Sequence, residues 1–109
     1  MNIQDFAKSA RRTQNPMLTK GETAAHALTG LVSEVGEISS LFQHHFQGEA
    51  FSRDKLKDEL GDLFWFAVEL MDVYGLSPSE VLSHNVRKLT ARYPDGFDEK
   101  RSANRHKSE

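Results

Sequence analysis

Between Thr23 and Gln47 apolar residues return in steps of three and four: Ala24, Ala27, Leu28, Leu31, Val35, Ile38, Leu41 and Phe42. That spacing is the period of an α-helix with one buried stripe. It recurs from Ser52 to Tyr74 through Leu56, Leu60, Leu63, Phe64, Ala67, Leu70 and Met71, with Gly75 as a natural terminator. A further helix carries Leu82, Val86 and Leu89 and stops at Tyr93-Pro94. Its start, Ser77-Pro78-Ser79-Glu80, reads as an N-cap, a proline at the first helical position and a capping box. A weaker opener over residues 2–14 sets Ile3, Phe6, Ala7 and Ala10 on one side and closes at Asn15-Pro16. No segment alternates with period two. The chain is expected to be all-α, most simply a four-helix bundle with short connections.

A length of 109 residues suits one domain. The expected organisation is a single helical domain over 1–97 and a basic, irregular C-terminal tail over 98–109. There is no cysteine, which excludes disulfide frameworks, zinc ribbons and thiol nucleophiles. The opening Met-Asn-Ile-Gln-Asp lacks the basic and apolar regions of a signal peptide, and no apolar run approaches the ~20 residues of a membrane span. A cytoplasmic protein without a membrane partner is expected.

The net charge of −2 is unevenly spread. Residues 1–20 carry +3, residues 21–80 carry −8 and residues 81–109 carry +3. An acidic centre between basic ends fits a protein that gathers cations centrally with an anionic ligand around them. A solvated acidic helix face has the same composition, and charge alone does not decide.

The placement of the acids is more informative. Glu34-Val35-Gly36-Glu37 and Glu59-Leu60-Gly61-Asp62 are each spaced i, i+3, so both carboxylates of a pair project from one helix face. Glu34 stands three residues after Leu31 and four before Ile38, inside the apolar stripe, and Glu59 does the same between Leu56 and Leu63. Glu37 and Asp62 lie one step toward the edge. An unpaired carboxylate buried in a bundle costs several kcal/mol or takes up a proton. Antiparallel packing of the two helices would gather all four carboxylates, and cation binding is the remedy. Hard oxygen donors suit Mg²⁺, with Mn²⁺ as a substitute, and two ions fit a cluster of this charge. Gly36 and Gly61, inside the motifs, suggest close backbone approach there. Surface pairs with helix punctuation are the plain alternative. Ferritin-like di-iron chemistry wants Glu-x-x-His pairs, and the chain has none: Glu22 and His26, like Glu80 and His84, are four apart.

On the fourth helix Asn85, Lys88 and Arg92 are spaced three and four and share a face beside the apolar stripe. Lysine acts on phosphate as a point charge and arginine binds it bidentately, so a polyphosphate would bridge such a face to a metal cluster. Trp65 lies one turn after Gly61 and Asp62; it suits stacking on a base as well as packing in the bundle.

The ordered set Glu34-x-x-Glu37, Glu59-Leu60-Gly61-Asp62-Leu63-Phe64-Trp65, Gly75-Leu76-Ser77-Pro78-Ser79-Glu80-Val81 and Asn85-x-x-Lys88-Leu89-x-x-Arg92-Tyr93-Pro94-x-Gly96-Phe97 resembles the MazG-like nucleoside triphosphate pyrophosphohydrolases. The resemblance covers about residues 25–105. It implies the all-α pyrophosphohydrolase fold, a homodimer or homotetramer, and Mg²⁺ held by Glu34, Glu37, Glu59 and Asp62. It also implies hydrolysis of a (deoxy)nucleoside triphosphate to monophosphate and pyrophosphate, with Glu34 or Glu37 as general base. Asn85 and Lys88 match nucleotide-contacting positions; Arg92, Arg101 and Arg105 are candidate phosphate contacts, the tail matching the family pattern less well. Phosphoribosyl-ATP pyrophosphohydrolase shares the architecture. A non-catalytic helical module that binds nucleic acid or protein is the reading from another class, and the acidic middle argues against nucleic acid. The unbroken run Leu63-Phe64-Trp65-Phe66-Ala67-Val68 leaves the third helix apolar on more than one side, which by itself calls for an oligomer with that helix near the interface.

Overall fold

The computed structural model describes residues 1–108, with side chains through Arg105; the end of the expected tail at 98–109 lies outside the described residues. Five helices form: α1 (Ile3–Arg11), α2 (Lys20–Phe46), α3 (Arg53–Val73), α4 (Pro78–Arg92) and α5 (Glu99–Ser108). Among the described residues there is no β-strand, and no helix is long and apolar enough to cross a membrane. The chain divides into two compact units, Met1–Leu76 and Ser77–Glu109.

In the first unit α2 begins three residues before the expected Thr23, because Thr19 and Glu22 form a reciprocal cap. Thr19 Oγ1 accepts from the Glu22 backbone N–H at 3.1 Å, and Glu22 Oε1 accepts from the Thr19 N–H at 2.9 Å. The helix ends at Gly48 (φ +102°) with Glu49 N–H donating to His44 C=O and Gly48 N–H to His45 C=O, a Schellman motif. The Ser52 hydroxyl then accepts from the Lys55 N–H at 3.2 Å and starts α3. Contacts between the two helices pair His26 with Glu69 and Gly30 with Phe66, and Phe42 of α2 meets Phe51 just ahead of α3. Numbers rise along α2 as they fall along α3, so the helices are antiparallel. The opener α1 lies on α3, with Ala7, Ala10 and Val68 buried and Phe6 and Trp65 packed against them. Asp72 anchors this contact by accepting from Arg11 Nε at 3.0 Å and Gln14 Nε2 at 3.0 Å.

Three expectations for this unit are corrected. A Cβ at Gly36 or Gly61 would meet only open space, so neither marks a close approach. The close approach is at Gly30, where a Cβ would fall on the Phe66 ring. The run Leu63 to Val68, read as apolar on more than one side, is partly covered within the chain: Trp65 and Phe66 are half-buried, Trp65 against α1 and Phe66 against Gly30 of α2. What α3 leaves exposed is Leu60 and Phe64, and α2 exposes a second apolar face of Leu28, Val32, Val35, Phe42 and Phe46. The single stripe read from the sequence is therefore two: Ala27, Gly30 and Glu34 buried inward, and a second set outward.

Gly30→Ala is expected to lower the melting temperature despite the better helix former. Alanine gains about 1 kcal/mol of helix propensity. Overpacking costs typically 1–3 kcal/mol, and here the obstacle is a ring held between His26 and Trp65. A thermal melt checks the sign; a more stable variant would show that Phe66 moves aside.

In the second unit Pro78 opens α4 as expected, but Ser77 makes no side-chain cap bond, so the capping box is absent. The tail, expected to be irregular, is helical. Asp98 Oδ1 accepts from the backbone N–H groups of Lys100 (2.9 Å) and Arg101 (3.1 Å), an N-terminal cap that starts α5.

Candidate metal centre

The inward face of α2 presents His26, Gly30, Glu34 and Glu37, in steps of four, four and three. The facing side of α3 presents Glu59, Asp62, Phe66 and Glu69, in steps of three, four and three. Antiparallel packing sets Glu34 and Glu37 against Glu59 and Asp62 at one end, Gly30 against Phe66 in the middle, and His26 against Glu69 at the other.

At the acidic end Glu34, Glu59 and Asp62 each offer a carboxylate oxygen, all within 4.8 Å of one another. Glu34 is only 8% exposed, Glu59 is half-buried and Asp62 is open to solvent. Oε2 of Glu34 and Oε2 of Glu59 are both buried without a hydrogen-bond partner. The neighbouring Glu34 carboxylate pushes the Glu59 carboxyl above the usual range, more than the hydrogen bond with Glu37 pulls it down. Glu37, exposed, is pushed up in turn by its hydrogen bond to Glu59 and by the Glu59 charge. Like charges in close contact share protons rather than all ionise. Two orphaned buried oxygens, from Glu34 and Glu59, beside the open Asp62 carboxylate are a donor set that fits a hard divalent cation.

Trp65, named from the sequence as a substrate contact, donates Nε1–H to Thr13 Oγ1 at 2.8 Å, and its ring also lines a cavity of about 290 Å³ with Glu34, Asp62 and Phe66. A larger cavity of about 560 Å³ runs along α2 past Leu18, Glu22, His26, Gly30 and Glu34 to Phe66. In the second unit Asn85, Lys88 and Arg92 share one face of α4, with Asn85 and Lys88 exposed and Arg92 half-buried. Arg101 and Arg105 stand one turn apart on α5.

Sequence reasoning passed over Glu69 and His26. Glu69 is fully buried, and its Oε1 lies 2.7 Å from His26 Nδ1. The signal was there: Glu69 follows Asp62 and Phe66 in the same three-and-four step that set Glu59 apart.

The sequence pattern of the MazG nucleotide pyrophosphohydrolase domain matches residues 22–97, which takes in all four carboxylates and α4. A curated relative, "Gene 37 protein" of Mycobacterium phage L5, is 30% identical over 80 residues, 69% of this chain and 70% of that protein. No solved structure matches the chain significantly. Enzymes of the matched family generally depend on a divalent metal, in keeping with the acidic cluster. With the family pattern spanning well over half its length, the chain belongs to the MazG nucleotide pyrophosphohydrolase domain family.

Proposed function

We propose that the protein hydrolyses a (deoxy)nucleoside triphosphate to the monophosphate and pyrophosphate, with Mg²⁺ held by Glu34, Glu59 and Asp62 and with Mn²⁺ as a substitute. The observation that carries this reading is the pair of buried, unpartnered oxygens on Glu34 and Glu59, beside Asp62, in a chain of this family. A divalent cation bound there supplies charge neutralisation of the polyphosphate and a water acidic enough to attack at neutral pH. Glu37 stands outside the three-carboxylate group, exposed beside Glu59, and its raised carboxyl makes it the more basic candidate to take the proton from the attacking water once a cation relieves the crowding. Glu34, nearly buried, serves as ligand in this reading. The second unit offers Asn85, Lys88 and Arg92 on α4 and Arg101 and Arg105 on α5 as contacts for nucleotide and phosphate, and the first unit offers the Trp65 ring, in the wall of the small cavity, as a surface for the base.

The same reading includes a second copy of the chain. The exposed α2 face from Leu28 to Phe46, with Leu60 and Phe64 of α3, is an apolar patch of the kind that marks an interface. Two copies packed through it would complete a four-helix bundle, as a homodimer or within a homotetramer. Light scattering across a dilution series is expected to give a mass well above the 12.3 kDa of one chain; a monomer that stays active would contradict it. A cytoplasmic location is part of the proposal.

The test of the activity is a panel of canonical and modified NTPs and dNTPs, with phosphoribosyl-ATP included, incubated with Mg²⁺ and resolved by chromatography. Monophosphate with pyrophosphate is expected. Diphosphate with orthophosphate, turnover of phosphoribosyl-ATP alone, or no turnover counts against it.

A further inference from the structure

Glu69 is an acidic side chain with no exposure, held on the inner face of α3 about two turns beyond Asp62 of the cluster. A buried carboxylate is costly unless it is hydrogen-bonded, and an apolar residue would pack this position without that cost. The partner on Oε1 is His26, whose Nδ1 lies 2.7 Å away, while Oε2 is buried without a hydrogen-bond partner. A carboxylate only accepts hydrogen bonds, so Nδ1 carries the hydrogen, and on a ring holding that one proton Nε2 has an open lone pair. The ring is fixed further by Phe66, 5.7 Å away and tilted, and by Trp65, 6.4 Å away and edge-on. It is nonetheless 48% exposed. Its place is the wall of the 560 Å³ cavity, which ends at Glu34 of the acidic cluster.

His26 precedes Glu34 by eight residues, or about 12 Å of helix rise. A nucleotide whose phosphates sit at the carboxylates would extend its nucleoside along α2 toward His26, with the Phe66 ring beside it. Resting on the function proposed above, we propose that His26, oriented by the positioning residue Glu69, reads the base: Nε2 accepts from the 6-amino group of adenine or the 4-amino group of cytosine. Guanine and uracil put a carbonyl oxygen at that place, and two lone pairs repel, which gives discrimination by repulsion as well as attraction.

Binding tests this without relying on turnover. Trp65 is the chain's single tryptophan and sits beside the His26 ring, so its emission reports occupancy. Titrations with AMP, CMP, GMP and UMP are expected to show AMP and CMP bound roughly tenfold more tightly, the worth of one well-placed hydrogen bond. His26→Phe keeps the ring and should level the four affinities. Glu69→Leu should do the same, and Glu69→Gln, which still accepts from Nδ1, should restore the preference. In hydrolysis the change should fall on KM for the amino-bearing triphosphates rather than on kcat. Unequal affinities that survive His26→Phe, equal affinities in the wild type, or no binding of any of the four would overturn the assignment. Selective binding without hydrolysis would leave it standing and remove the proposed activity instead.

Discussion

Glu59→Gln is expected to reduce turnover on the order of a thousandfold while the helical fold survives, because metal assistance of this kind is worth several powers of ten in rate. Glu59 is the most crowded of the acids, in contact with both Glu34 and Glu37. The amide keeps the shape of the side chain and removes the anionic donor. Without metal the same change should leave the protein as stable or more so, since Glu34 already forces the Glu59 carboxyl toward its protonated form. Steady-state kinetics with Mg²⁺ and a circular-dichroism melt without it separate the two effects. Wild-type activity in the variant would remove Glu59 from the site, and an unfolded variant would make it a structural residue.

Mg²⁺ is expected to raise the melting temperature by on the order of 10 °C at saturating concentration, because a ligand bound by the native state alone stabilises it. The gain should depend on pH. Glu37 and Glu59 both have carboxyls raised above their ordinary 4.5, chiefly by the hydrogen bond to Glu59 for the first and by Glu34 for the second. A carboxyl raised in the folded chain contributes stability that is fully present below 4.5 and lost as pH rises through the folded value. The metal-free protein therefore loses this contribution on going from acidic to neutral pH, and a cation among the carboxylates restores it. Calorimetry at pH 5 and pH 7.5, with and without Mg²⁺, should show the larger increment at the higher pH. Equal increments would separate the metal from these carboxylates. An unchanged melt with millimolar Mg²⁺ and nucleotide would argue against a metal centre altogether.

The all-helical fold was legible because the three-and-four spacing is a local property, and so were the carboxylates of the acidic end, since an acid inside an apolar stripe is visible one helix at a time. The same rule reached Glu34 and Glu59 but stopped short of Glu69, whose partner His26 lies 43 residues away and on another helix. The glycines misled for the same reason. Gly36 and Gly61 drew notice by sitting inside the motifs, whereas the need for glycine at 30 depends on where the Phe66 ring arrives. Trp65 and Phe66 looked excessive on one helix because the sequence does not say that α1, short as it is, covers the indole, or that Thr13 just beyond α1 accepts its N–H. The second apolar face of α2 was merged with the first, since Leu28 and Val35 are near enough in phase with Ala27 and Leu31 to read as one stripe. The α5 cap was missed because Asp98 works through backbone groups, two and three residues on, in a segment with no apolar pattern.

In the proposed reaction water attacks the α-phosphorus of a nucleoside triphosphate at the Glu34, Glu59 and Asp62 cluster. A single turnover of substrate with Mg²⁺ in water enriched in oxygen-18, with both products analysed by mass spectrometry, tests it most directly. The label is expected in the nucleoside monophosphate, and the pyrophosphate is expected to carry none. Label in the pyrophosphate, release of labelled orthophosphate, or no turnover at all would contradict it.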